Sequence, residues 1–195
     1  MSIVTLVSGG LDSTVMSLLI QEQGITQFPL IINYGQLNFA KESSACFTNF
    51  EKHSLPKPEC LAIENFGRLI PSGITDNTMD VRDAFLPCRN LLFLTCAASY
   101  AYKNHATAIA IGLLSEEFSI YPDQSKTFIT ATEKLISQAL GQSFKILTPL
   151  MSFCKAEVLK LAKSKNIMQT YSCHAGTEEP CGKCIACCEF KGLEV

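Results

Sequence analysis

The hydrophobic positions fall into short apolar runs that alternate with stretches of helical spacing. Residues 3–7 are mostly apolar and β-branched, which predicts a buried strand. Val15, Leu18 and Leu19 follow at helical spacing across 13–23, and Gly24 ends that helix. The same alternation continues with a strand at 30–32, a helix at 39–52 and a weaker strand at 59–63. Residues 65–87 carry Pro71, Gly73 and Pro87 and read as a long loop. A strongly apolar helix at 90–103, a strand at 108–113, an amphipathic helix at 127–140 closed by Gly141, a short strand at 145–147 and a helix at 155–164 complete the series. From Tyr171 the chain is loop-like and rich in cysteine. Short apolar strands alternating with helices predict an α/β fold, a doubly wound parallel sheet covered on both faces. Ligands of such folds lie beyond the carboxyl ends of strands. The loops at 8–13, 33–38 and 114–126 are therefore the ones to examine.

Composition narrows this picture. Hydrophobic residues make up 47% of the 195 and charged residues 17%, which allows a sizeable core and argues against disorder. At roughly 150 residues per domain, the length fits one main domain, taken as 1–170, and a small appendage at 171–195. No apolar run reaches the ~18 residues of a membrane span, and the first ten residues lack the basic region of a signal peptide. A net charge of −2 argues against a broad nucleic-acid surface. The ten cysteines are unevenly spread, with four at 181, 184, 187 and 188. That crowding points to metal ligation in a reducing compartment, so a cytoplasmic location is expected.

The first loop carries the sharpest signal. Ser8-Gly9-Gly10-Leu11-Asp12-Ser13-Thr14 joins the first strand to a helix. Two glycines permit a sharp turn and close approach of backbone N–H groups to a ligand. The hydroxyls of Ser8, Ser13 and Thr14 and the positive end of the helix suit a phosphate. Asp12 suits a helix cap or a magnesium site instead. The Gly-Lys-Ser/Thr ending of a Walker A loop is absent.

Cys181-Gly-Lys-Cys184-Ile-Ala-Cys187 places three thiols at three-residue spacing. Zinc takes four tetrahedral ligands, and Cys173 is the natural fourth, with His174 and Cys188 as competitors. An iron–sulfur cluster is the rival reading. Four thiolates leave no open position, so the ion would be structural, tying down a segment with little core of its own.

The Ser-Gly-Gly-Leu-Asp-Ser string resembles the signature of the PP-loop ATP pyrophosphatases, which have an adenine nucleotide alpha hydrolase-like fold. Together with the cysteine knuckle, it resembles the QueC family of 7-cyano-7-deazaguanine (preQ0) synthases. Tyr34-Gly35-Gln36, Pro87-Cys88-Arg89-Asn90, Gly112, Tyr121-Pro122-Asp123, Thr148-Pro149-Leu150-Met151 and Lys155-Ala156-Glu157 extend the resemblance along the chain. It implies ATP-dependent conversion of 7-carboxy-7-deazaguanine with ammonia to the nitrile, through an adenylated carboxylate, on the route to queuosine. ATP, Mg2+ and Zn2+ are the implied cofactors, and a homodimer is implied as well. By position, Val7, Ser8, Gly9, Gly10, Leu11, Asp12, Ser13, Thr14, Tyr34, Gly112 and Lys155 are implied to bind the nucleotide. Asp12, Ser13, Arg89 and Lys155 are implied to be catalytic. Arg89, Asn90, Phe118, Tyr121 and Asp123 are implied to hold the substrate, and Cys173, Cys181, Cys184 and Cys187 the metal. Arg89 begins a helix, where a cation opposes the dipole, so an anionic ligand is its expected partner.

Several positions depart from the family pattern. Asp-Tyr-Gly-Gln-Arg-His is here Asn33-Tyr34-Gly35-Gln36-Leu37-Asn38, and Pro-Gly-Arg-Asn has Cys88 for its glycine. Tyr-Pro-Asp-Cys-Arg ends here in Gln124-Ser125, and Phe190 stands where the family has arginine. Three alternatives stand beside the synthase reading. One is a paralogue that joins a deazaguanine to another amine, such as a protein acceptor. The others are a PP-loop tRNA-modifying enzyme and a non-catalytic nucleotide-binding module.

Overall fold

A computed structural model describes residues 1–193, apart from the side chain of Phe118. Five parallel strands form one sheet in the order β3-β2-β1-β4-β5. They are β1 (Ser2–Val7), β2 (Thr26–Asn33), β3 (Glu59–Ala62), β4 (Ala108–Ala110) and β5 (Lys145–Leu147). The chain first winds outward from β1 to β3. It then returns to pair β4 with β1, Val4 opposite Ile109 and Thr5 opposite Ala110. This reversal opens a crevice beyond the carboxyl ends of β1 and β4.

The period-two pattern of β1 builds both cores. Val4 and Leu6 face one side, where Leu94, Ala97, Ala98 and Ala101 of α4 (Arg89–Lys103) and Ile129 and Ile136 of α5 (Lys126–Leu140) cover them. Ile3 and Val7 face the other side. There they meet Val15 and Met16 of α1 (Leu11–Glu22), Cys46 and Phe50 of α2 (Phe39–Lys52) and Val158 of α6 (Lys155–Ser164). The small alanines of α4 let it lie close on the sheet. Each fully buried large side chain, such as Phe50 or Phe144, contributes about 1.5–3 kcal/mol.

The structure departs from the sequence expectation at several element ends. β2 begins upstream of Pro29, at a stretch where β3 pairs only from Leu30 onward, so proline lies where β2 has one neighbour. β4 stops at Ala110 because Gly112 turns against the start of α1. A Cβ there would sit 3.4 Å from the Ser13 nitrogen. α1 starts at Leu11, two residues before the apolar spacing predicts. The expected long loop contains α3 (Asn65–Leu69), and the tail contains α7 (Ile185–Cys188). No helix among the described residues is long and apolar enough to cross a membrane.

Candidate active site and metal centre

The loop after β1 is held by its own hydroxyls. Gly9 has a φ of +82°, and a Cβ on it would fall 2.0 Å from the Glu42 carbonyl oxygen, so α2 packs directly on a bare glycine. The Ser8 N–H donates to Ser13 Oγ at 3.2 Å, and the Gly10 N–H donates to Ser8 Oγ at 3.3 Å. The hydroxyls of Ser13 and Thr14 donate to the Gly10 carbonyl at 3.2 and 2.9 Å. Thr14 is fully buried in this role. Val7, Ser8, Gly10, Leu11, Asp12 and Ser13 line a cavity of about 290 Å³, whereas Gly9 and Thr14 shape the loop from behind.

Asp12 projects from the first turn of α1 to Lys155 at the first turn of α6. Lys155 Nζ lies 2.9 Å from both Asp12 oxygens and 3.0 Å from Glu189 Oε2. It also lies 4.8 Å from the centre of the Phe190 ring, a cation–π contact. Burial alone would lower the lysine pKa. The two carboxylates outweigh it, so the net shift is upward and the ammonium is retained. Asp12, Gly112, Leu113, Gln124, Lys155 and Glu189 also border a second cavity, of about 590 Å³, beneath the tail. The lysine cluster is thus the wall between two chambers.

The other end of the first cavity is built around Arg89. The Arg89 guanidinium acts on the Tyr34 hydroxyl, and the Tyr34 and Phe93 rings stand 5.1 Å apart. Burial pushes the Tyr34 hydroxyl up to about 12, helped by Glu42 and opposed by Arg89. Burial pushes the Glu42 carboxyl up to about 7, opposed by a hydrogen bond from Gln36 and the charge of Arg89. Burial and Arg89 together hold the His174 imidazole down at about 4, and His174 Nδ1 is buried with no hydrogen-bond partner.

The residues expected to hold substrate divide. Arg89 and Asn90 line the first cavity. The Asn90 N–H donates to Asp123 Oδ2 at 3.2 Å, and its side chain donates to the Asp123 carbonyl at 3.0 Å. Asp123 therefore caps α4, and neither it nor Tyr121 lines the cavity. Tyr121 packs on Phe85 at 5.1 Å instead. Phe118 ends a short 3-10 turn, and its side chain lies outside the described residues. Glu42 and Glu189 also line the cavity and carry no signal in the sequence analysis, whereas Gln36, Gln124 and His174 line it too and enter there only within the family strings or as a rival metal ligand.

The sulfurs of Cys173, Cys181, Cys184 and Cys187 all lie within 4.8 Å of one another. Tetrahedral bonds of about 2.3 Å would set sulfurs about 3.8 Å apart, and the Cys181 and Cys187 sulfurs are 3.9 Å apart. N–H groups of Cys181, Cys184 and Cys187 donate to the sulfurs of Cys173, Cys181 and Cys184 at 3.3 to 3.4 Å. This set fits one tetrahedral ion. Cys188 Sγ turns away to the Lys183 carbonyl, and His174 lies in the cavity wall. The knuckle is fastened to the loop after β1. The Tyr171 N–H donates to the Gly9 carbonyl at 3.1 Å, and Asn38 Nδ2 donates to the Cys173 carbonyl at 3.1 Å.

A model of the queuosine biosynthesis protein QueC matches residues 2–192. The chain belongs to the QueC family. A 7-cyano-7-deazaguanine synthase of Acetivibrio thermocellus is 36% identical, over 94% of this chain and 88% of that protein. A 7-cyano-7-deazaguanine synthase 2 of Desulfitobacterium hafniense is 32% identical, over 94% and 84%. Among solved structures, NMN synthetase from Francisella tularensis aligns with a TM-score of 0.55 at 17% identity, over 90% of this chain and 68% of that one. A predicted subunit of tRNA methyltransferase from Methanocaldococcus jannaschii aligns with a TM-score of 0.58 at 18% identity, over 84% and 74%. These two share the fold of this QueC-family chain.

Proposed function

We propose that the protein activates the carboxylate of 7-carboxy-7-deazaguanine with ATP and aminates it with ammonia, ending at the 7-nitrile. The names of the sequence relatives support this. The observation that carries it is the meeting of Asp12, Lys155 and the Ser8–Ser13 loop at the β1/β4 crevice. The loop N–H groups and the N-terminus of α1 hold the phosphate chain. Lys155 turns from its carboxylates to neutralise charge as pyrophosphate leaves. The substrate carboxylate oxygen attacks the α-phosphorus, giving an acyl adenylate. Ammonia adds to the acyl carbon and expels AMP, giving the amide and a proton. A second ATP adenylates the amide oxygen, releasing pyrophosphate and a proton, and loss of AMP and a second proton then gives the nitrile.

Asp12 and Glu189 are the carboxylates that would hold magnesium beside the phosphates. The four cysteines would hold zinc, for which all-thiolate closed sites are structural. The site as a whole relies mainly on positioning and charge.

Incubation with ATP, ammonium and 7-carboxy-7-deazaguanine tests the proposal, with AMP, pyrophosphate and product mass followed together. A nitrile mass that disappears in Asp12→Ala supports it, and no ATP turnover overturns it. One feature favours a second reading, conjugation to a larger amine. The roomier chamber of about 590 Å³ shares the Lys155 wall. An amide that accumulates with ammonium, and is replaced by a conjugate when a larger amine is supplied, would establish that reading instead.

A further inference from the structure

The first cavity is lined by three carboxylates, Asp12, Glu42 and Glu189. Two of them are engaged by Lys155. A fourth carboxylate nearby, Asp123, is engaged by the first turn of α4. Among the described residues, Glu42 is the cavity carboxylate that makes no ion pair. Its Oε2 accepts a hydrogen bond from Gln36 Nε2 at 3.2 Å, which uses only part of a carboxylate's four acceptor positions. Its backbone is fixed by the Asn38 carbonyl below it and by Gly9 against its own carbonyl. The same cavity is lined by the Tyr34 and Phe93 rings, the donor-only guanidinium of Arg89 and His174, whose buried Nδ1 has no hydrogen-bond partner.

We propose that Glu42 reads the N1–H and 2-amino donors of the deazaguanine ring, with Arg89 donating to the adjacent ring oxygen. This rests on the function proposed above. The chemistry is complementary: two adjacent N–H donors match the two oxygens of a carboxylate, and the neighbouring carbonyl matches a cation. An adenine-like ring would turn an acceptor nitrogen toward the carboxylate. A ring without the 2-amino group would leave one carboxylate oxygen buried and unpaired. Sites built to bond a substrate N–H reject analogues that lack it far more strongly than apolar pockets reject a missing methylene. The upward shift of the Glu42 pKa fits this role, since burial has removed solvent and the ligand's N–H groups would replace it. The aromatic pair offers an apolar flank for the ring.

Equilibrium binding to the zinc-loaded protein tests the assignment. The probes are 7-carboxy-7-deazaguanine and its counterpart lacking the 2-amino group. The unmodified protein should prefer the amino compound at least tenfold. Glu42→Gln should bring the two within about threefold, by weakening the amino compound. Glu42→Asp keeps the charge in place and should retain the preference at lower affinity. A variant Gln protein that keeps the tenfold preference, or that loses affinity equally for both probes, would overturn the role of Glu42 while leaving the substrate intact. If Gln fails to fold, an Asp variant without the preference overturns it. An unmodified protein that binds neither probe overturns the substrate reading itself, and the inference with it.

Discussion

Replacing Glu42 by glutamine is expected to stabilise the protein at alkaline pH. Burial raises the folded-state pKa of Glu42 from 4.5 to about 7. A carboxyl whose folded pKa lies above its unfolded one favours the folded state only while protonated. Stability is therefore lost as pH rises from the unfolded value through the folded one. At about 1.4 kcal/mol per pH unit, that interval corresponds to roughly 3 kcal/mol. The side chain is only partly buried by area, and screening reduces the figure to about 2 kcal/mol. His174 carries the opposite dependence, because its lowered pKa costs stability as pH falls toward about 4. Glutamine leaves His174, Arg89 and Tyr34 in place, so their contributions cancel to first order in the difference between the two proteins. Urea unfolding of both proteins in zinc-containing buffer measures that difference. The variant's advantage should grow by about 2 kcal/mol between about pH 5 and about pH 8. A difference that is flat with pH, or a variant less stable at about pH 8, would refute the reasoning. A residue that weakens the fold where it serves a ligand is the usual trade between stability and function.

Four further outcomes are expected. Lys155→Ala should reduce pyrophosphate release at least a hundredfold, because the ammonium proposed to neutralise charge on the departing pyrophosphate is lost. Cys88→Gly should stabilise the protein by about 1 kcal/mol and raise its Tm by about 2–4 °C, since Cys88 holds a φ of +60° that glycine adopts freely. Asp123→Ala should cost about 1 kcal/mol through the lost cap on α4 while leaving the KM for the base unchanged; a large rise in KM would restore Asp123 as a base-reading residue. Cys181→Ser should abolish metal retention and speed amide exchange across 171–193, as followed by elemental analysis and mass spectrometry; slow exchange without metal would contradict a structural ion.

What the sequence reveals follows from how local each signal is. The strands β1 and β2 announce themselves by their β-branched residues, whereas β3, Glu-Cys-Leu-Ala, has none and reads only weakly, and α2 spans 39–52 in both readings. The phosphate loop and the cysteine knuckle are legible because their members are neighbours in the chain. The helices α3 and α7 have five and four residues, too few to show a period. Asp123 caps a helix that starts 34 residues before it, which no local rule detects. Glu42 did leave a trace. It lies on the stripe formed with Ala45, Cys46, Asn49 and Phe50, the buried face of α2. A lone carboxylate on a buried stripe is a candidate for function, and the pattern alone did not separate it from the adjacent Lys41 and Ser43. Glu189 and His174 left no such trace, because the tail that carries them is positioned by metal-ligand geometry and by single bonds to Gly9 and Asn38.

The departures from the family pattern concern charge more than framework. Ser125 accepts the Phe128 N–H and caps α5. Asn33 bonds Glu64, and Asn38 ties α2 to the carbonyl of Cys173. These three positions perform work of their own in the fold. Phe190 differs, because it touches Lys155 at the cavity wall directly. In place of a second cation it lays an apolar face on Lys155, while Glu189 beside it adds a negative charge. The three ionised groups at the wall between the chambers then sum to −1, with Asp12 and Glu189 against Lys155. In a partly desolvated site such a balance acts more strongly than it would in water. Glu189 and Phe190, which follow closely on the last cysteine of the cluster, thus fix the charge and the apolar face that meet Lys155 at the wall between the two cavities.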